Sequence, residues 1–308
     1  MTAAADLAKV GGRTRTASRP GPGPIADRLV HQLELSMDRR VGGRMAGDHR
    51  GLGRGNGIEL DRIRPYEPGD DVRKIDWNAT ARSLVPHVRE DVPDRQLTAW
   101  LLLDHSPSMH FGTAERRKAD VAEGVALAIG HAATRRGNRL GLVAFGSGDP
   151  RWRRPRQGRR GLLLTLAALR DDPAGGGGLA DALLLLDGIA GQRSLVVIVS
   201  DFRGPVDWQG PLLRIAGRHP TLAVEIRDRR EQELADVGEL RLVDPETGRQ
   251  LRVDTSDARL RERFAAAAAE ERRGLVRMLA AAGVRHVALT TEGDWLRELA
   301  AFLKRSDL

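Results

Sequence analysis

Two hydrophobic periods divide the chain. Ile25, Leu29, Leu33 and Met37 recur every four residues and predict a helix over about 25–40. The stretch after it, VGGRMAGDHRGLGRGNG, is too rich in glycine for a regular element. From about residue 97 apolar runs and helical periods alternate. The runs LTAWLLLD (97–104), RLGLVAFG (139–146), SLVVIVSDF (194–202), TLAVEIRD (221–228) and VRHVALTT (284–291) read as buried strands. Between and after them, helical spacing covers 114–137, 158–170, 179–190, 209–217, 257–282 and 292–304. Thr255, Ser256 or Asp257 is the expected cap of the long alanine-rich helix. VGELRLVDPETGRQLRVDT (237–255) has the pattern of a hairpin, turning at Pro245–Gly248.

Strands that alternate with helices predict an α/β fold: a Rossmann-like, doubly wound, mostly parallel sheet with helices on both faces. Sheets of this kind bind ligands beyond the carboxyl ends of their strands, where the strand order reverses. Asp104 and Asp201 end two of the apolar runs, so these two strands are expected to be neighbours. The domain division follows: a disordered tail over 1–24, rich in Ala, Gly, Pro and Arg; an N-terminal helix and small charged subdomain over 25–96; and the α/β domain over 97–308, with the hairpin at about 237–255 inserted.

Composition narrows the function classes. There is no cysteine, which excludes disulfides and thiolate metal sites and suits a reducing, cytoplasmic setting. No apolar stretch approaches the length of a membrane span, and no apolar h-region follows the first charges, so neither an anchor nor a secretory signal is expected. The net charge is +8, but lysine stands only at Lys9, Lys74, Lys118 and Lys304 among the 50 basic residues. Arginine and alanine abundance of this kind reflects coding bias, which weakens the charge as evidence for nucleic acid. The densest cluster, RWRRPRQGRR (151–160), is read as a solvated connection between strand and helix; binding of phosphate backbones is the alternative. No Walker-type loop is present, so ATP binding by this chain is not expected.

The run LLLDHSPSMHF (101–111) carries Asp104, Ser106 and Ser108 at the end of an apolar strand. With Asp201 they gather two carboxylates and two hydroxyls, hard oxygen donors suited to Mg²⁺, Ca²⁺ or Mn²⁺, with Mg²⁺ or Mn²⁺ as the expected ion, and not to zinc. This arrangement resembles the metal-ion-dependent adhesion site of von Willebrand factor A domains over about 97–308. The resemblance implies Asp104, Ser106 and Ser108 as metal ligands, with Asp201 acting through water. It also implies a threonine ligand in a Gly-Gly-Thr-x-Leu loop. The corresponding stretch here is GGGGLADAL (175–183), which puts Gly177 at that place and leaves the site one oxygen short.

A second constellation lies in GIELDRIRPYEPGDDVRKIDWNATARSLVPHVRE (57–90). Pro68 and Gly69 sit at the centre of EPGD as a type II turn demands. Acids and arginines interleave with Ile63, Tyr66, Val72, Ile75 and Trp77, predicting a compact unit held by Arg–carboxylate pairs. The run Tyr66, Pro68, Gly69, Asp70, Asp71, Arg73, Ile75, Asp76, Trp77, Ala81 and Arg82 resembles the signature of the domain-of-unknown-function family number 58. VDPETGRQLRVDT fits the same family, extending the resemblance over about 50–308. The family is similar in organisation to partners of MoxR-type AAA+ ATPases, pairs thought to act as chaperones. The resemblance therefore implies a non-enzymatic adaptor, with Asp70, Asp71, Arg73, Asp76, Trp77 and Arg82 as a docking face. The structural reading of Asp70, Asp71 and Arg73 is a salt-bridge network that fixes the turn. A divalent-metal-dependent hydrolase using Asp104 and Asp201 is the enzymatic alternative, although no nucleophile or base stands beside them in the sequence.

Overall fold

The computed structural model describes residues 4–5, 21–23, 60–91, 97–134, 138–146, 148–158, 177–244 and 247–305. The helix expected over 25–40, the helix over 158–170 beyond Gly158, and Pro245 of the hairpin turn lie outside the described residues. The chain divides into two compact units, Arg44–Gln96 and the rest. The first strand, β1 (Ala4–Ala5), belongs to the larger unit.

In the smaller unit, β2 (Leu60–Pro65) pairs antiparallel with β3 (His87–Asp91), with Pro65 opposite His87. The intervening chain makes the expected EPGD turn: Asp70 N–H donates to Glu67 O at 3.0 Å and Gly69 has φ +111°. A 3₁₀ turn, Val72–Lys74, follows, capped by the Asp71 side chain. Helix α1 (Trp77–Ser83) begins at Asp76, whose carboxylate accepts from Ala79 N–H at 3.0 Å. It ends at Leu84, in the left-handed region at φ 59°. The Asp76 N–H donates to His87 O at 2.8 Å and ties the helix start to β3.

The larger unit is built on a six-stranded sheet. Its strands are β4 (Thr98–Asp104), β5 (Arg139–Phe145), β6 (Arg151–Gln157), β7 (Leu195–Ser200), β8 (Thr221–Arg227) and β11 (Arg285–Thr290). The spatial order is β11-β8-β7-β4-β5-β6, and every pairing is parallel except β5 with β6. The helices are α2 (Lys118–Thr134), α3 (Leu179–Ile189), α4 (Gln209–Arg218), α5 (Ala258–Ala281) and α6 (Trp295–Arg305). β9 (Glu239–Val243) and β10 (Gln250–Asp254) form the expected hairpin, and β1 pairs with β9 from the other side. Alternate residues of β4 feed two cores. Leu101 and Leu103 pack with Val121, Val125 and Ile129 of α2 and Leu299 of α6. Trp100 and Leu102 pack with Leu183 and Leu186 of α3, Leu212 and Ile215 of α4 and Leu279 of α5. β4 is buried at every position because helices cover both faces.

Three local outcomes differ from the sequence expectation. Helix α2 begins at Lys118 rather than near Ala114, because Lys118 N–H is drawn back to Phe111 O at 2.9 Å and Arg117 N–H to Asp120 Oδ2 at 2.9 Å. The arginine run is not a connection: Arg151–Gln157 is the antiparallel edge strand β6. Arg153, Arg154 and Arg156 are exposed on it, and its pairing with β5 slips between Leu140 and Leu142, opposite Arg156 and Arg153. Charge, Pro155 and a bulge are the means by which an edge strand avoids pairing with another chain. Within the stretch expected to be disordered, Gly21 N–H donates to Asp120 Oδ1 at 3.0 Å and Pro22 O accepts from Trp295 Nε1 at 3.1 Å.

Candidate functional site

β4 comes first in the large sheet. The chain then adds β5 on one side and returns with β7 on the other, so the strand order reverses at β4. The crevice beyond the carboxyl ends of β4 and β7 is therefore where such a sheet places a ligand. Asp104 is the last residue of β4, and Asp201 directly follows β7. As expected, the two strands are neighbours, with Leu103 opposite Val199.

Each Asp104 oxygen has its own donor. Oδ1 accepts from Ser106 N–H at 2.8 Å and Oδ2 from Ser200 Oγ at 2.5 Å. Ser106 precedes a 3₁₀ turn, Pro107–His110, and its Oγ lies 3.0 Å from Ser108 Oγ. The sequence thus brings Asp104, Ser106 and Ser108 into one turn, with Ser108 buried and Ser106 half-buried. Gly146, just after β5, makes this turn possible. It has φ +116°, and a Cβ there would stand 2.3 Å from Ser106 N and 2.9 Å from Asp104 Oδ1. Phe202, after Asp201, also holds a left-handed conformation at φ 54°; its N–H donates to Ser200 Oγ at 2.9 Å. Backbone strain beside a crevice carboxylate is a mark of functional sites.

Burial and the nearby Asp201 charge push the Asp104 carboxyl up from 3.8 to about 6, against the opposing bonds from Ser200 and Ser106. Desolvation and a like charge both disfavour the carboxylate, and a cation between the two acids would relieve both. Asp201 itself is held from two sides. Its Oδ1 accepts from Arg203 N–H at 3.0 Å, and its Oδ2 meets the Lys118 ammonium at 2.5 Å. The same ammonium lies 2.6 Å from Glu231 Oε1. Beside Glu231, the buried Asp228 accepts from Thr113 N–H and Oγ1 and from Thr291 Oγ1 at 2.8, 2.6 and 2.7 Å.

The donor set at Asp104, Ser106 and Ser108 fits a hard divalent cation, being all oxygen and short of positive charge at its one acid. Among the described residues no cluster of three or more His, Asp or Glu side chains forms a metal cage, so an ion here would depend on the hydroxyls. Gly177, where the von Willebrand A resemblance implies a threonine oxygen, sits on a backbone that suits glycine. Gly177 has φ +69°, its carbonyl accepts from Gly146 N–H at 3.0 Å, and a Cβ would lie 2.8 Å from Asp181 Oδ2 and 2.9 Å from Pro150 Cδ. A β-branched residue does not suit that backbone.

The second set of candidates lies in the smaller unit and separates into two groups. Asp70 forms a paired bond with Arg64, 2.7 Å at each oxygen, and accepts from Glu67 N–H; the Arg64 contact holds its carboxyl below the usual range. Asp71 and the buried Asp76 cap a 3₁₀ turn and α1. These acids fix the turn, the structural reading of the motif. Arg73, Trp77 and Arg82 face outward, and Trp77 is 72% exposed. Val72, Leu84, Val85 and Ile63 are exposed as well, giving this small unit a surface mixing apolar groups with arginine.

Sequence reasoning missed Ser200, Lys118, Glu231 and Gly146. Lys118 carried a signal: it is one of only four lysines in an arginine-dominated chain, and a compact ammonium suits a position between two acids better than a planar guanidinium. Ser200, Glu231 and Gly146 carry no motif, since their roles come from strand adjacency.

The model of one protein family, described as a protein of unknown function, DUF58, matches residues 62–274. Uncharacterized proteins of Mycobacterium tuberculosis and Mycobacterium bovis are each 42% identical over 278 residues, covering 89% of this chain and 87% of the relative. Among solved structures, the conserved hypothetical protein BatB from Bacteroides thetaiotaomicron has a TM-score of 0.43 at 13% identity, covering 68% of this chain and 98% of that one. An aerotolerance-related membrane protein from Bacteroides fragilis has a TM-score of 0.41 at 12% identity, with coverage of 68% and 99%. Among the described residues, no helix here is long and apolar enough to cross a membrane.

Proposed function

The chain belongs to the DUF58 family of proteins of unknown function, and on that footing we propose that it is a non-enzymatic interaction module with a von Willebrand factor A-like fold, a cytoplasmic adaptor for a MoxR-type AAA+ ATPase. The supporting observation is the Asp104 turn at the strand reversal, where the Ser106 and Ser108 hydroxyls lie 3.0 Å apart beside an acid whose oxygens accept from Ser106 N–H and Ser200 Oγ. We read such a site as suited to capture of a group, since both Asp104 oxygens are committed to donors from Ser106 and Ser200. Asp104, Ser106, Ser108 and Asp201 are the residues that would hold Mg²⁺ or Mn²⁺. The chemistry the ion would supply is a positive centre for an acidic side chain of the partner. The exposed Trp77, Arg73 and Arg82 of the smaller unit supply a second docking face, aromatic and cationic as protein interfaces favour.

The test is co-purification of the chain with a MoxR-type ATPase held in its ATP-bound state. Wild type is expected to retain the ATPase, while Asp104→Asn and Trp77→Ala each retain less. Equal retention by all three proteins, or none by wild type, would reject the reading.

A further inference from the structure

Lys118 is the first residue of α2 and is wholly buried. That is an unfavourable place for a cation, because the start of a helix carries partial positive charge and burial removes hydration. Its surroundings account for it. The ammonium touches Asp201 at 2.5 Å and Glu231 at 2.6 Å, and these side chains are only 1% and 3% exposed. The Phe111 ring closes one side, 5.9 Å from the ammonium. Other positive charge is more distant: Arg203 Nε lies 3.8 Å from Glu231 Oε1. Asp228 next to Glu231 has threonine hydroxyl and backbone donors, which bring no full charge to the cluster.

Two buried carboxylates thus share one ammonium at the carboxyl end of the sheet, on the side of Asp201 away from its Arg203 bond. Their oxygens are the hard donors that divalent cations take, and their charge without Lys118 is the charge such an ion neutralises. We propose that Lys118 is a tethered cation occupying a divalent-ion position between Asp201 and Glu231. It keeps Asp201 aligned without an exchangeable ion and restricts the crevice to one metal at most, on its Asp104–Ser106–Ser108 side. The two-ion arrangement of phosphoryl-transfer enzymes is closed to it. Lys118 acts through Asp201 and is a positioning residue. The inference does not need the ATPase.

Calorimetric and thermal-unfolding titrations with MnCl₂ test it on wild type, Lys118→Met, and Lys118→Met combined with Glu231→Gln. Lys118→Met is expected to unfold at lower temperature without metal, and to regain stability at a Mn²⁺ concentration about tenfold or more below any that affects wild type. The added Glu231→Gln should abolish that gain. A folded Lys118→Met protein whose Mn²⁺ response matches wild type overturns the inference, as does a gain that survives Glu231→Gln. If Lys118→Met does not fold alone, recovery of cooperative unfolding in about 10 mM MnCl₂ supports the inference, and no recovery overturns it. A gain in Lys118→Met alongside a wild type that takes up no Mn²⁺ would uphold the tethered cation and reject metal binding at Asp104, so the two ideas fail separately.

Discussion

The Ser200 hydroxyl donates to Asp104 Oδ2 at 2.5 Å across the neighbouring strands β7 and β4. This bond joins the two ends of the crevice, but it does not offset the burial of Asp104 and the charge of Asp201, which leave that carboxyl raised to about 6. An acid raised in the folded state contributes most below its unfolded value of 3.8, and that contribution is lost as pH rises through about 6. Metal-free protein should therefore lose stability from this group between about pH 4 and pH 6. Asp104→Asn, which keeps the shape and removes the charge, should flatten that part of the profile and raise the metal-free melting temperature at neutral pH. Calorimetric melting across the pH range checks it. An Asn variant less stable than wild type at pH 7 and equally pH-dependent counts against the assignment.

Gly146 supports the Asp104 turn by having no side chain. Gly146→Ala places a methyl group on Ser106 N and forces an L-residue to φ +116°. The expected cost is about 2–4 kcal/mol in urea denaturation, above that of an ordinary surface change. A cost under about 0.5 kcal/mol would show that the turn moves freely.

The acids of the family signature should behave as caps and the aromatic as surface. Asp76→Ala removes the carboxylate that accepts from Ala79 N–H and should cost about 1 kcal/mol or more, since the site is buried. Trp77→Ala, at a position 72% exposed, should change stability by about 0.5 kcal/mol or less. Chemical denaturation of the two variants separates these roles, and a reversed order would contradict them.

The arginines of β6 are read as edge protection. Replacing Arg153, Arg154 and Arg156 by Ala should leave monomer stability nearly unchanged and raise self-association in light scattering. Nucleic-acid binding predicts instead a salt-sensitive complex of wild type with duplex DNA that the triple variant loses.

Much of the fold was legible because period and burial coincide. The leucines of 101–103 are buried on both sides, and the run that reports a strand also reports that helices cover both faces. The same logic placed Asp104 and Asp201 at adjacent strand ends. Arg151–Gln157 escaped because an edge strand needs no apolar period: its side chains are charged to prevent pairing, which in sequence looks like a loop. The site was legible in the local Asp104–Ser106–Ser108 turn and, through the paired strand ends, at Asp201. Lys118, Asp201 and Glu231 meet across 83 and 113 positions of sequence, and only the strand order brings them together. In the smaller unit, acids that the motif offers as a docking face also serve as caps and an ion pair, because Asp is also the residue that begins a helix.

Partner binding at the Asp104 turn is read out by the dissociation constant between this purified chain and a MoxR-type ATPase in its ATP-bound state, for wild type and for folded Asp104→Asn. Wild type is expected to form a specific complex that Asp104→Asn weakens about tenfold or more, equivalent to about 1.4 kcal/mol. An unchanged constant in Asp104→Asn, or no complex with wild type, would contradict it.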